Sequence, residues 1–320
     1  MTENSAAAVA AQITKAEKAA IFCHVRPDGD ALGSGLALLL ALRAAGKTAY
    51  FVCEELPPEK FFFLPEMKEV VVGIPDEEFD TFIAVDCADI ARLGEYAHDF
   101  ARFKGTTINI DHHISNKGYA KYNCISVCSA TCELMPEVLD AAGLAITPPI
   151  ANLLMLGLIT DSGTFTHSDV TAKTFSVAAR LRECGADVTN INYCMFSRQK
   201  KARALLFARA LQNMRFALED KLAFILVTCA ALEETGAQRS MTEGFVDYPL
   251  SIDGVEVAIA LMEMKRGQYK ASLRSKGKVN VNAVASVFGG GGHVLASGCM
   301  LSGEYEEVVE RLTYAVYQHL

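Results

Sequence analysis

The sequence predicts an α/β protein, with a parallel, doubly wound sheet in its first half and a smaller mixed α/β domain in its second. Three observations carry that prediction. Short apolar runs alternate with helix-patterned segments through the first half, at the spacing of β-α-β units. Several of these runs end abruptly in Asp or His, which places polar side chains where open parallel sheets bind ligands. At 320 residues and 51% hydrophobic composition, the chain is long enough for two cores.

Ala6 to Ala20 is Ala-rich with Lys15, Glu17 and Lys18 interspersed, which suits an opening helix. Ala20 to Val25 reads as a buried strand running into Arg26-Pro27-Asp28-Gly29-Asp30, where Pro27 and Gly29 impose a tight turn. An apolar helix over 31–45 follows, with Gly33 and Gly35 leaving room for close packing. His24, Asp28 and Asp30 thereby collect at the carboxyl edge of the sheet. Two carboxylates one residue apart can serve different cations of a two-metal site. The bland alternative is that Asp28 shapes the turn and Asp30 caps the helix.

Thr48 to Cys53 is a second strand, and the Phe61-Phe62-Phe63 triplet reads as core or lid packing. Thr81 to Val85 is a third strand, ending in Asp86. A helix from Ile90 to Phe103 returns the chain to the strand Thr106 to Ile110, which delivers Asp111-His112-His113 to the same edge. Helices over 126–142 and 148–158 follow, and Asp161 is the fifth acid placed after an apolar run. Taken singly, Asp161 would cap what comes next, and Asp-His-His would be a hydrogen-bonded strand end.

Thr171 to Cys184 is helical in pattern, and residues 190–215 read as a long connecting helix with a charged, solvated face. Leu222 to Val227 is a strand, a helix spans 230–235, and Val255 to Met264 with Gln268 to Ser275 form a hairpin-like pair. Between Met264 and Gly303 there is no Asp or Glu, while Lys265, Arg266, Lys270, Arg274, Lys276 and Lys278 are present. The run Gly289-Gly290-Gly291-Gly292-His293 lets backbone N–H groups approach an anion, and a helix starting after it would add a favourable dipole. It lacks the Gly-Lys-Ser/Thr ending of a nucleoside-triphosphate P-loop.

Charge and cysteine usage narrow the class further. A net charge of −8 argues against general nucleic-acid coating, so an anionic substrate needs a local basic patch or bound cations. Ten scattered cysteines without a Cys-x-x-Cys pair read as reduced, buried thiols in a cytoplasmic protein. Cys124, Cys128 and Cys132 would share one helical face, most simply as packing. The first twenty residues lack a secretory pattern, and no apolar stretch is long enough to span a membrane.

Together, His24-x-x-Pro27-Asp28-Gly29-Asp30, Asp86, Asp111-His112-His113 and the stretch Gly157 to Gly163 around Asp161 resemble, in order, the four motifs of the DHH phosphoesterase superfamily. The resemblance implies a pair of Mn²⁺ ions, with Mg²⁺ as the alternative. His24 and Asp28 would hold one, Asp30, His112 and Asp161 the other, and Asp86 would bridge them. His113 would face the substrate phosphate while Asp111 supports the histidines from behind, so Asp86, Asp111 and His113 form the expected catalytic set. The residue types agree independently, since carboxylates with a minority of imidazoles suit such ions, and two of them clamp a phosphoryl group and activate water.

Ser272-Leu273-Arg274-Ser275 and the glycine run resemble the DHH-associated C-terminal domain, which implies substrate contacts from Ser272, Arg274, Gly290, Gly291, Gly292 and His293. Ala296-Ser297-Gly298 departs from the Ala-Ala-Gly usual there. The expected division is a catalytic domain over 1–187, a linker helix over 188–215 and a substrate domain over 216–320, facing across a cleft. The two-domain length resembles the bifunctional oligoribonuclease and 3'-phosphoadenosine 5'-phosphate phosphatase group rather than the longer RecJ-type exonucleases. Short RNA and 3'-phosphoadenosine 5'-phosphate are thus the expected partners, with no membrane and with homodimerisation left open. The rival readings are a cyclic-dinucleotide phosphodiesterase and a catalytically silent nucleotide-binding regulator.

Overall fold

The computed structural model describes residues 3–320, the side chains of Glu3 and Asn4 excepted. The chain divides into two compact units, one ending at Arg198 and one running from Gln199 to Leu320. No helix among the described residues is long and apolar enough to cross a membrane.

The first unit is built on seven strands, β1 (Glu3–Asn4), β2 (Lys18–Phe22), β3 (Thr48–Cys53), β4 (Val70–Val72), β5 (Thr81–Val85), β6 (Thr106–Asp111) and β7 (Tyr122–Ile125). Their order is β1-β7-β6-β5-β2-β3-β4, with every pair parallel. Both faces are covered, which is why the strands read as continuous apolar runs. In β2, Ile21 packs with the cluster containing Leu36, Leu154 and Met135, whereas Phe22 joins Phe82, Tyr96 and Phe100 on the opposite face.

The helices of this unit are α1 (Ala6–Lys15), α2 (Gly29–Ala44), α3 (Ala97–Arg102), α4 (Thr131–Ala141), α5 (Pro148–Asp161), α6 (Ala172–Glu183) and α7 (Val188–Asn192). From β2 the chain steps through α2 to β3 and β4; from β5 it steps the other way to β6 and β7. The carboxyl ends of the neighbours β2 and β5 therefore flank the switch point, the expected ligand crevice. Helices α2 and α5 approach closely because glycines meet there: a Cβ on Gly33 would lie 2.4 Å from the Leu153 carbonyl, and one on Gly157 would lie 2.8 Å from Asp30 Oδ1. That approach brings the start of α2 beside the end of α5.

Several expected boundaries move. The opening helix stops at Lys15, because Asp80 Oδ2 accepts the Glu17 and Lys18 amides and draws that segment into the sheet. The helix expected over 90–103 is a 3-10 stretch, Ile90–Tyr96, followed by α3. The segment read as one helix over 126–142 contains a loop before α4, so Cys124 lies on β7, Cys128 in the loop and Cys132 on α4, not on one helical face. Nor is there one long helix over 190–215. Val188–Asn192 and a π-helical turn, Tyr193–Ser197, bury Ile191 and Cys194 in the first unit, and the chain breaks before α8 (Lys201–Gln212). Leu206 and Ala210 of α8 pack with Ile225 and Phe245, so this helix belongs to the second unit.

The second unit contains β8 (Arg215–Ala217), β9 (Leu222–Val227), β10 (Val257–Lys265), β11 (Gln268–Ser275), β12 (Gly291–Gly292) and β13 (Ala296–Ser302), with α9 (Cys229–Thr235), α10 (Asp247–Leu250), α11 (Val281–Ser286) and α12 (Tyr305–Tyr317). The sheet order is β12-β13-β11-β10-β9-β8; β9 and β10 are parallel and the other pairs antiparallel. Leu273, Val284 and Leu312 centre the core on one face, while α8 covers part of the other.

No helix begins after the glycine run. The run instead enters the edge strand β12 and turns back into β13, with His293 N donating to the Ala296 carbonyl at 2.8 Å and Ala296 N returning a bond of 3.2 Å. Gly292 has φ of 148°, and a Cβ there would lie 2.5 Å from the Ala296 carbonyl. The turn therefore demands glycine for its own closure.

Candidate metal centre

Loops at the switch point assemble the polar residues of the first unit. Asp28 caps α2, accepting the amides of Asp30 and Ala31, so it is Asp28 and not Asp30 that acts as the N-cap. Asp30 then lies on the first helical turn, fully buried. Asp86 follows β5 with φ of 50°, a left-handed conformation that Asp tolerates better than most residues. His112 and His113 leave β6, and Asp161 is the last residue of α5 rather than a residue beyond it.

The imidazoles are oriented before any ligand is considered. His24 Nδ1 donates to the Val25 carbonyl and His112 Nδ1 to the Cys128 carbonyl, each at 2.9 Å. A carbonyl only accepts, so a proton sits on Nδ1, and each Nε2 is the atom left to take up a second proton or a metal ion. His24 Nε2 faces Oδ2 of Asp28 and Oδ2 of Asp86, both at 3.5 Å. His112 Nε2 lies 3.2 Å from Asp161 Oδ2, 3.5 Å from Asp86 Oδ1 and 4.0 Å from Asp30 Oδ2. Lone pairs facing carboxylates repel unless a proton or a metal ion lies between them.

Three groups of potential ligands result: His24, Asp28 and Asp86; Asp30, His112 and Asp161; and Asp86, His112 and His113, each with its donor atoms within 4.8 Å of one another. Asp86 and His112 each belong to two groups. Among the described residues these acids form ion pairs with imidazoles only, so no lysine or arginine neutralises them. Hard carboxylate oxygens, a minority of imidazole nitrogens and no thiolate fit divalent cations that prefer oxygen ligands.

The proton affinities express the same charge imbalance. Burial pushes the Asp30 carboxyl up, reinforced by the charges of Asp86 and Asp161. Burial likewise raises Asp161 to about 6, with Asp86 and Asp28 adding to it and His112 opposing. For His24, burial disfavours the charged ring, but Asp28 and Asp86 outweigh it and lift the pKa to about 10. Burial works against ionised Asp28 too, yet His24 and the two capping amides hold it at about 2.

Asp111 stands behind this cluster, fully buried. Its Oδ1 accepts from His113 Nδ1 at 2.8 Å, a bond that raises the imidazole's pKa. Its Oδ2 accepts from Asn116 Nδ2 at 2.6 Å. Sequence reasoning passed over Asn116 and Thr131 and read Cys132 only as a packing thiol, whereas the amides of Thr131 and Cys132 donate to Asp30 at 2.6 and 2.9 Å. Nothing in spacing marks Asn116. The start of α4 at Thr131 was hidden because no Gly or Pro precedes it.

In the second unit, Ser272 and Arg274 alternate on one face of β11 and line a cavity of about 540 Å³ with Arg239, Lys270, Phe245 and Met262. Arg239, on a 3-10 turn, has no motif that announces it. Ser272 pairs across the sheet with Gly298, which pairs in turn with Gly291. The glycine run is thus aligned with Ser272 but does not line the cavity. Gly290 packs beneath Gly298 and Cys299, whereas Gly291 and His293 are exposed. Ser297 Oγ donates to the His293 carbonyl at 2.7 Å, which gives the serine in Ala296-Ser297-Gly298 a role in the turn.

Comparison with known proteins agrees with this geometry. Residues 18–158 match the DHH family, N-terminal domain, and residues 223–319 match the DHHA1 domain. The bifunctional oligoribonuclease and PAP phosphatase NrnA of Thermus thermophilus is 31% identical over 317 residues, spanning 97% of this chain and 93% of that protein. The protein of the same description from Bacillus subtilis is 25% identical, spanning 87% of each chain. Among solved structures, an exopolyphosphatase-related protein from Bacteroides fragilis matches with a TM-score of 0.78 at 28% identity, over 96% of this chain and 94% of that one. Two domain matches in the expected order and a relative similar along nearly the whole length place this chain in the DHH family of phosphoesterases, as a DHH domain followed by a DHHA1 domain.

Proposed function

We propose that the protein degrades very short RNA to mononucleotides and removes the 3'-phosphate of 3'-phosphoadenosine 5'-phosphate to leave AMP, as a metal-dependent phosphohydrolase of the cytoplasm. The observation that carries this reading is the set of four acids and two imidazole Nε2 atoms at the switch point, with no permanent cation among their partners. Similarity to the Thermus thermophilus protein supports the choice of substrates, and ten free thiols suit a reducing compartment.

When bound, two Mn²⁺ ions supply positive charge to the phosphoryl oxygens and lower the pKa of water at the site. His24 and Asp28 hold one side of the centre, Asp30, His112 and Asp161 the other, and Asp86 belongs to both. Asp111 orients His113 and raises its affinity for a second proton, which places the ring's other nitrogen to donate to a phosphate oxygen. Arg274, which Asp247 approaches at 3.7 Å, and the Ser272 hydroxyl bind the anionic substrate. The exposed backbone at Gly291, shaped by Gly290 and Gly292, and the His293 ring complete the substrate contacts.

Product analysis on linear dinucleotides, cyclic dinucleotides and 3'-phosphoadenosine 5'-phosphate with Mn²⁺ tests the reading. Mononucleotides and AMP are expected, with turnover lost after chelation. Turnover that survives complete metal removal, or cleavage confined to cyclic dinucleotides, overturns it.

A further inference from the structure

We propose that Thr131 is a positioning residue whose hydroxyl fixes which carboxylate oxygen of Asp86 faces each half of the centre, and so sets the affinity for divalent cations. The inference rests on the reading that these acids hold such cations.

Thr131 is fully buried and opens α4. It does not cap its own helix: the N-cap position is Ala130, which offers no side-chain acceptor. Its hydroxyl donates instead to Asp86 Oδ1 at 3.1 Å, while its amide donates to Asp30 Oδ2 at 2.6 Å. Asp30 and Asp86 fall in different ligand groups, so one residue touches both sides of the centre.

A carboxylate rotates readily about its last torsion, because such sp³–sp² wells are broad. Among the described residues, the Thr131 hydroxyl is the one hydrogen-bond donor to the Asp86 carboxylate besides the surrounding imidazoles. With Oδ1 held there, Oδ2 is directed towards His24 Nε2 at 3.5 Å and Oδ1 towards His112 Nε2 at 3.5 Å. Removing the donor frees the plane of the carboxylate, and an ion meets a ligand that must first be ordered.

Packing alone makes the opposite demand on substitutions. Thr131→Val keeps the shape and loses the donor, whereas Thr131→Ser loses the methyl group and keeps the donor. Mn²⁺ binding to the full-length protein, read by titration calorimetry or by the electron paramagnetic resonance signal of free Mn²⁺, separates the two. Thr131→Val is expected to bind roughly 10–100-fold more weakly, the usual effect of losing a partner that orients a ligand, and Thr131→Ser to stay within about threefold of wild type. The unfolding midpoint in chelator should fall no further in Thr131→Val than in Thr131→Ser.

If Thr131→Val is not folded, Thr131→Ala, which also lacks the donor, carries the same expectation. Wild-type affinity in a folded variant without the donor overturns the proposal, as does a Thr131→Ser variant as weak as Thr131→Val. Failure of both donor-free variants to fold while Thr131→Ser folds assigns the hydroxyl to stability and overturns it too. A wild-type protein that does not bind Mn²⁺ would instead overturn the underlying reading of the centre.

Discussion

The Nε2 of His24 lies 3.5 Å from Oδ2 of Asp86, and no lysine or arginine shares the contact. Without metal, protons are the available cations: His24 titrates at about 10 and Asp161 at about 6, both above their ordinary values. A raised pKa adds stability that is complete below the unfolded value and is lost as pH rises through the folded one. Asp161 therefore ceases to contribute near pH 6 and His24 near pH 10. Asp28 has the opposite sign, and its contribution is lost only as pH falls towards about 2.

The unfolding midpoint of the chelated protein should accordingly decline from about pH 6.5 towards pH 10, the interval between the ordinary and the raised value of His24. Mn²⁺ should raise it most towards the upper end, where the His24 proton that competes with the ion is being lost. Thermal unfolding in chelator and in Mn²⁺ across that range provides the check; a flat chelator curve contradicts the charge imbalance described for the centre.

Asp86→Asn keeps the shape of a residue that tolerates φ of 50° and removes one charge from two ligand groups. We expect kcat/KM for dinucleotide cleavage to drop by at least about 100-fold. The midpoint in chelator should change little, since relief of the repulsion with Asp30 and Asp161 offsets the lost attraction to His24. Steady-state kinetics and circular dichroism on one preparation test both halves of the statement.

Arg274→Ala should act on binding rather than chemistry. Loss of a charge-assisted contact to phosphate is expected to raise KM about 10–100-fold with kcat within about threefold. A fall in kcat at unchanged KM would remove Arg274 from the substrate contacts.

Gly291 and Gly292 should part company. Alanine at 292 meets the Ala296 carbonyl at 2.5 Å on a backbone with φ of 148°, and should cost about 2–3 kcal/mol, read as a lower unfolding midpoint. Alanine at 291 meets nothing nearer than Asn282 Oδ1 at 3.8 Å, so stability should change by less than about 0.5 kcal/mol while KM rises.

How much of this was readable beforehand depended on burial. Thr48–Cys53 and Thr81–Val85 stand at the positions expected of them, because strands covered on both faces are unbroken apolar runs. His24, Asp28, Asp30, Asp86 and His112 were visible for the same reason, each lying where such a run stops. β7 was not, because it is short and carries Asn123, whose buried amide bonds Ala120 locally and looks like loop chemistry in sequence. With β7 and the following loop unread, the start of α4 was lost as well. Thr131 makes its contacts to Asp30 and Asp86 across 101 and 45 positions, a relationship that only the assembled sheet creates.

Asp30 serves the α4 amides as well as the centre, and this duality bears on how such a protein can diverge. A lineage released from selection for catalysis still needs α4 anchored in its core, so Asp30 would persist as a fossil of the active state. Asp161, half-buried at the end of α5 with His112 as its side-chain partner, carries no comparable structural duty. Inactive descendants that remain folded should therefore be recognised by substitution at Asp161 before Asp30, and retention of Asp30 alone is poor evidence that a homologue still turns over substrate.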